Sequence, residues 1–230
     1  RTEALPAPQA RTAAALLRER TGGNPFFLTE LCNDLQNRGG ITALSSHRTV
    51  PPPIGDAIGR RLAGLGESVQ RIIEQAAVLG ESFDLPALIA GSDTDLATTL
   101  AAVDSAEGVG VIRAVPGSDG EFCFVHALTR EAVIARMTAS RLRVMHARAA
   151  DALAGRADPS VVPRLANHYL LAHVLGYHEQ ALRYARDAAR IAEHSLAYED
   201  AANWYGRATS LPELNVADRA RLILDAAANH

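Results

Sequence analysis

The sequence predicts a mainly α-helical fold, and three observations carry that prediction. Alanine fills 44 of the 230 positions, and it combines the best helix propensity with a small packing volume. Aromatic residues make up only 5% of the chain, so close-packed helices are favoured over sheets. Glycine, proline and short polar caps punctuate the chain densely, at spacings that suit helices of ordinary length. The 48% apolar and 21% charged fractions suffice for a buried core and exclude wholesale disorder.

The elements follow in order. A first helix is expected over Ala7 to Arg20, stopped by Gly22-Gly23. Asn24 offers an N-cap oxygen and Pro25 fills the first helical position, where its missing N–H costs nothing. The helix from Pro25 to Arg38 then places Phe27, Leu31 and Leu35 on one face and ends at Gly39-Gly40. A polar connection, Ile41 to Val50 with Ser45-Ser46 inside it, marks a boundary. Pro51-Pro52-Pro53 opens the next unit, with helices over Ile54 to Leu65 and Glu67 to Leu79. Val69, Ile72, Ile73 and Ala76 share a face of the second. Asp84 caps a short helix to Ala90, and Ser92 with Asp95 resembles a capping pair for a helix to Ala106.

The hydrophobic period then changes. Val109, Val111 and the run to Val115 predict a strand, Pro116 to Gly120 a turn, and Phe122 to Val125 the returning strand. Helices followed by one β-hairpin follow the order of a winged helix. After a helix from Leu128 to Met137 the rest is helical. Leu142, Met145, Ala149 and Leu153 form one stripe, broken at Asp158-Pro159. Further helices are expected over Val161 to Leu175, His178 to Ser195, Ala197 to Ser210 and Ala217 to Ala228. Glu179-Gln-Ala181 and Glu199-Asp-Ala201 recur, and Ala201, Tyr205 and Ala208 before Pro212 fit the rhythm of tetratricopeptide-like helical hairpins. The repeat is degenerate, because Ala185 stands where Tyr205 would have its counterpart. The fold class is thus mainly α, a winged helix followed by an α-solenoid.

Composition excludes several function classes. The net charge of −3 and pI near 6.3 do not suit a protein that coats nucleic acid or anionic membrane. All 23 basic residues are arginine, so the chain holds no P-loop, Schiff-base or kinase lysine. Cys32 and Cys123 form no C-x-x-C unit, which points away from a disulfide framework or cysteine zinc site and toward a reducing cytoplasm. No apolar run approaches the length of a membrane span and no signal peptide opens the chain. A start at Arg1 predicts a piece of a longer protein.

No catalytic constellation assembles from the sequence. There is no HExxH and no G-x-S-x-G. His168 and His173 are five apart and make a poor metal pair, His178 next to Glu179 suits a solvated helix start better than a proton relay, and His194 and His230 lack partners in sequence. Gly64-Leu-Gly66 and Gly108-Val-Gly110 read as turns. The candidate recognition helix, Asp93 to Ala106, carries Asp93, Asp95 and Asp104 and no basic residue, so this winged helix is expected not to contact DNA. Arg130, Arg136, Arg141, Arg143 and Arg148 form a basic stretch without base-stacking aromatics, suited to solvent or to an acidic protein surface. Two features remain. Thr21-Gly-Gly-Asn-Pro-Phe-Phe27 is a helix start with free N–H groups, and His126 sits where a buried strand meets a helix.

Together with Val50-Pro-Pro-Pro53, Arg60-Arg-Leu62, Ala76-Ala-Val-Leu-Gly80 and Phe124-Val-His126-Ala-Leu, these segments resemble the STAND class of signalling NTPases. The likeness is to the large ATP-binding LuxR-type regulators and the ATPase modules fused to bacterial cyclases. It implies that residues 1–48 end the helical lid of an ATPase, 49–140 form a winged helix, and 141–230 begin tetratricopeptide-like repeats. Gly23, Asn24 and Pro25 resemble the family's G-x-P element, whose proline packs near adenine. His126 resembles the histidine of its M-H-D motif, which approaches the β-phosphate of ADP, with Val125 and Ala127 replacing the flanking residues. The resemblance implies no catalysis and no cofactor in this chain itself. ATP or ADP with magnesium would sit on an upstream nucleotide-binding domain of the same protein, and a protein or small-molecule inducer would act at the repeats. The alternative is a free-standing helical adaptor that binds protein partners.

Overall fold

A computed structural model describes residues 7–37, 50–156, 158–212 and 214–228. The helix stop expected at Gly39-Gly40 and the connection through Ser45-Ser46 lie outside these residues. The chain is mainly helical, with twelve α-helices and one small three-stranded sheet among the described residues. Its contacts group into two units, Arg1–Thr138 and Ala139–His230.

In the first unit, α1 (Ala7–Thr21) and α2 (Pro25–Asn37) pack together. Ala13 and Leu17 are buried from α1, and Phe27, Leu31 and Leu35 from α2, the latter at the spacing that puts them on one helix face. Proline begins α3 (Pro52–Ala63), which buries Ile54, Ile58 and Leu62. The following α4 (Glu67–Leu79) buries Ile72, Ile73 and Ala76, while Val69 is half-buried. A strand, β1 (Ser82–Asp84), leads into α5 (Leu85–Gly91), and α6 (Leu96–Gly108) leads into β2 (Ile112–Ala114), β3 (Glu121–Phe124) and α7 (Ala127–Ala135). The caps are local chemistry. Asp84 accepts the Ala87 N–H at 2.8 Å, and Asp95 accepts the Thr98 N–H at 2.9 Å.

The structure departs from the sequence expectation at three places in this unit. The hairpin is not alone, because β1 adds to β3 and the antiparallel sheet runs β1-β3-β2, with Ser82 opposite Cys123 and Ile112 opposite Phe124. Ser92 does not cap α6. Its hydroxyl donates back to the Ile89 carbonyl at 3.1 Å and closes α5, leaving the cap to Asp95 alone. Val109 is not strand but the exposed end of α6, and Gly110 at φ +69° turns the chain before β2 begins.

The second unit is a series of helices: α8 (Ala139–Ala154), α9 (Val162–Ala172), α10 (His178–His194), α11 (Tyr198–Thr209) and α12 (Val216–Ala228). Each packs on the next. The expected helix from Val161 to Leu175 is shorter at both ends, with 3₁₀ turns at Pro159–Val161 and His173–Leu175. Met145, Ala149 and Leu153 are buried from α8, with Leu142 only half-buried. Alanine dominates the interfaces: Ala181, Ala185, Ala188 and Ala189 from α10, and Ala201, Ala202 and Ala208 from α11. Such small side chains let helix axes approach closely, which explains the unusual alanine content. Asp151 of α8 accepts the hydroxyls of Tyr169 (3.3 Å) and Tyr177 (2.7 Å), and Tyr169 stacks on Tyr184.

The α10–α11 corner stores a small strain. Leu196 N–H donates to Glu193 and Ala197 N–H to Ala192, a Schellman ending in which Leu196 holds φ +59°, the position glycine usually takes. Its side chain is 71% exposed and loses little burial on removal. Leu196→Gly is therefore expected to stabilise this unit by about 1 kcal/mol, seen as a higher urea midpoint at unchanged slope. A lower midpoint would show that the leucine side chain matters more than its backbone.

Candidate functional site

The turn between α1 and α2 is built by four consecutive residues. Thr21 is fully buried, and its hydroxyl donates to the Leu17 carbonyl at 2.7 Å while accepting the Gly23 N–H at 3.3 Å. The chain then reverses through Gly22 (φ +58°) and Gly23 (φ +75°), conformations that glycine adopts without steric cost. Asn24 caps α2 by accepting the N–H groups of Phe26 (3.0 Å) and Phe27 (3.3 Å). Pro25 occupies the first helical position and is exposed.

His126 holds the N-cap position of α7 in extended backbone, and its carbonyl accepts the Thr129 N–H at 2.9 Å. Its side chain makes no cap bond and lies instead against the α1–α2 turn. A Cβ on Gly22 would fall 2.3 Å from His126 Nδ1 and 2.9 Å from Cε1, so only glycine fits at that position as the ring stands. The Phe27 ring meets the imidazole edge-on, with centroids 5.1 Å apart at 81°. Alongside, Arg20 of α1 donates to Glu131 of α7 at 2.6 Å, with only 14% and 20% of those side chains exposed. Arg130 Nε donates to the Ala77 carbonyl at 2.7 Å, tying α7 to the end of α4.

An open cleft of about 670 Å³ runs past this contact, lined by Arg18, Glu19, Glu81, Arg113, Cys123 and His126 among others. Burial, followed by the charges of Arg61 and Arg113, holds the His126 pKa below its ordinary value, so the ring is neutral at neutral pH. The arrangement presents a neutral imidazole to a cleft that Arg18 and Arg113 also line.

The sequence-predicted residues divide within this geometry. Asn24 is occupied in capping, Gly23 has open space around its Cβ position, Pro25 faces outward, and His126 lines the cleft. Sequence reading missed Gly22, Phe27 as the partner of the imidazole, and the Arg20–Glu131 pair. The Gly-Gly doublet was the available signal, but nothing in it says which glycine lies under a ring. In the second unit, His168 is buried and meets His146 of α8, Nδ1 to Nδ1 at 2.8 Å. One nitrogen must donate there and the other accept. His173 instead donates to the Leu170 carbonyl.

The outer face of α6 presents Asp95, Leu96, Leu100 and Asp104, all exposed. No helix among the described residues is long and apolar enough to cross a membrane, and none of their His, Cys, Asp or Glu side chains gather in threes able to hold a metal ion. Comparison with protein-family models, with curated proteins and with solved structures gives no match.

Proposed function

We propose that the chain is a non-catalytic regulatory part of a STAND-type, ATP-dependent signalling or transcriptional regulator, coupling nucleotide state to a helical-repeat sensor. The supporting observation is the packing of the Thr21–Phe27 turn on His126. These are the two segments that the resemblance selects, far apart in sequence. In this reading the order α4-β1-α5-α6-β2-β3 is that of a winged helix, and α8 to α12 are the first tetratricopeptide-like hairpins of a solenoid in a cytoplasmic protein. The acidic outer face of α6 would repel phosphate, so this winged helix makes no direct DNA contact.

The chain has no lysine for a P-loop, which leaves ATP or ADP with magnesium to an upstream nucleotide-binding domain of the same protein. The residues present fit the edge of such a ligand. His126 lines the cleft together with Arg18 and Arg113, and Pro25 is exposed at the start of α2. When bound, the nucleotide supplies the difference of one phosphate that distinguishes rest from activity. His126 and Pro25 hold the resting arrangement, and an inducer at the helical hairpins favours its release. This is a two-state interface biased by ligands.

The test is ADP titration of the protein extended through its nucleotide domain, with His126→Ala beside it. ADP is expected to raise the melting temperature of the parent, and His126→Ala to lose most of that rise and to increase basal activity. Unchanged or lower basal activity would overturn the clamp. A second reading, a free-standing adaptor for protein partners, is favoured by exposed apolar side chains in the second unit, notably Leu171, Val174 and Leu175 near the end of α9 and Ile223 and Leu224 on α12. An upstream segment without a G-x-x-x-x-G-K-[ST] loop would decide for it.

A further inference from the structure

We propose that Gly22 locks His126 as the neutral tautomer with its proton on Nε2, so that the ring faces the cleft as a hydrogen-bond donor only. The inference concerns the same site as the switch reading and takes its significance from it, but its geometry is independent of any nucleotide.

His126 Nδ1 is buried and has no hydrogen-bond partner, and it sits against the bare Cα of Gly22. A proton on Nδ1 would be a buried donor with no acceptor, which disfavours that tautomer. A lone pair fits there better, because the Gly22 Cα hydrogen that takes the place of a Cβ points at Nδ1 and is a weak donor to it, whereas an Nδ1–H would meet that hydrogen head-on. The charged imidazolium is worse than either neutral form, since it keeps the orphaned Nδ1–H and adds a positive charge facing Arg61 and Arg113. The Nε2 atom makes no bond to the described residues and lies on the ring edge away from Gly22, where the proton has room. Phe27, edge-on to the imidazole, resists the ring flip that would exchange the two edges.

Gly22 is thus a positioning residue, acting through His126. The neighbouring glycine supplies a control. Both are in the left-handed region, but a Cβ on Gly23 meets nothing within 4 Å whereas one on Gly22 meets the ring. Asparagine tolerates the left-handed region, so Gly22→Asn and Gly23→Asn share the backbone term and differ in the contact with His126. A ligand group that faces His126 must accordingly carry a lone pair; a donor there would be rejected.

The experiment is two-bond ¹H–¹⁵N NMR on the ¹⁵N-labelled 230-residue chain at pH 7 and 8, with His126→Gln used to assign the ring signals. The expected spectrum has His126 Nδ1 at the position of an unprotonated ring nitrogen and Nε2 at that of a protonated one, the same at both pH values. Gly22→Asn is expected to merge the two toward the average of a free histidine, and Gly23→Asn to leave them in place. A protonated Nδ1 in the parent chain, or equal effects of the two asparagine variants, overturns the proposal. Should Gly22→Asn not fold, Phe27→Leu provides the second arm, with averaging expected once the ring is free to flip. The locked tautomer in a protein that fails to respond to ADP would sustain this inference and sink the switch. The reverse pair of results would do the opposite.

Discussion

Gly22→Ala is expected to destabilise the first unit by about 2–5 kcal/mol, and Gly23→Ala by about 1–2 kcal/mol. The two substitutions share one term. Each places a Cβ in the left-handed region, which costs about 1–2 kcal/mol. They differ in the second, because the new methyl at position 22 would meet His126 Nδ1 at 2.3 Å while that at 23 meets nothing. Relieving that overlap means moving a ring already held by Phe27, or moving the backbone, and overpacking of this kind costs about 1–3 kcal/mol. Urea unfolding of the two variants separates the terms. The decisive measurement is the double-mutant cycle. In a His126→Ala background the Gly22→Ala cost should fall to that of Gly23→Ala, giving a coupling energy of about 1–3 kcal/mol. If the cost stays the same without the imidazole, the ring is not what reserves position 22 for glycine, and the contact has no part in joining α1 and α2 to α7.

The contrast between these glycines also shows what the sequence could and could not say. Features written in a few consecutive residues were legible. Asn24 and Pro25 start α2, Asp84 and Asp95 cap their helices, and Phe27, Leu31 and Leu35 form one buried face, because each depends on spacing along a single element. Features that depend on what lies across the fold were not. Strand β1 is three residues, Ser82–Asp84, too short for alternation to register, and only its pairing with β3, from Ser82 opposite Cys123 to Asp84 opposite Glu121, makes it a strand. Val109 satisfied the strand pattern but was claimed by α6, whose last turn takes its N–H. Neither the Gly22–His126 contact nor the His146–His168 contact has any signature in spacing, since both cross from one helix end or face to another.

The packing of α10 and α11 carries the second large effect. Tyr205 is 5% exposed, its hydroxyl donates to Glu193 at 3.1 Å, and burial followed by that carboxylate pushes its pKa up to about 12. Tyr205→Ala should cost about 3–5 kcal/mol, as truncation of a large buried ring does. Tyr205→Phe, which removes only the hydroxyl, should cost about 1 kcal/mol. The opposite substitution is the more informative one. Ala185 stands twenty positions earlier, where the repeat expected from the sequence would place a matching tyrosine, and Ala185→Tyr looks like an improvement on sequence grounds alone. The packing argues against it. Ala185 has no exposed surface, and its helix α10 packs against both α9 and α11, with Ala181, Ala188 and Ala189 buried beside it. A phenol ring there must push two interfaces apart, and the expected result is a loss of about 3 kcal/mol or more, the upper part of the overpacking range. A raised urea midpoint for Ala185→Tyr would mean that the α9–α10–α11 contacts are looser than they stand. A lowered one means that the packing of α10 between α9 and α11 leaves room at position 185 for alanine and not for a ring, whatever pattern the sequence suggests.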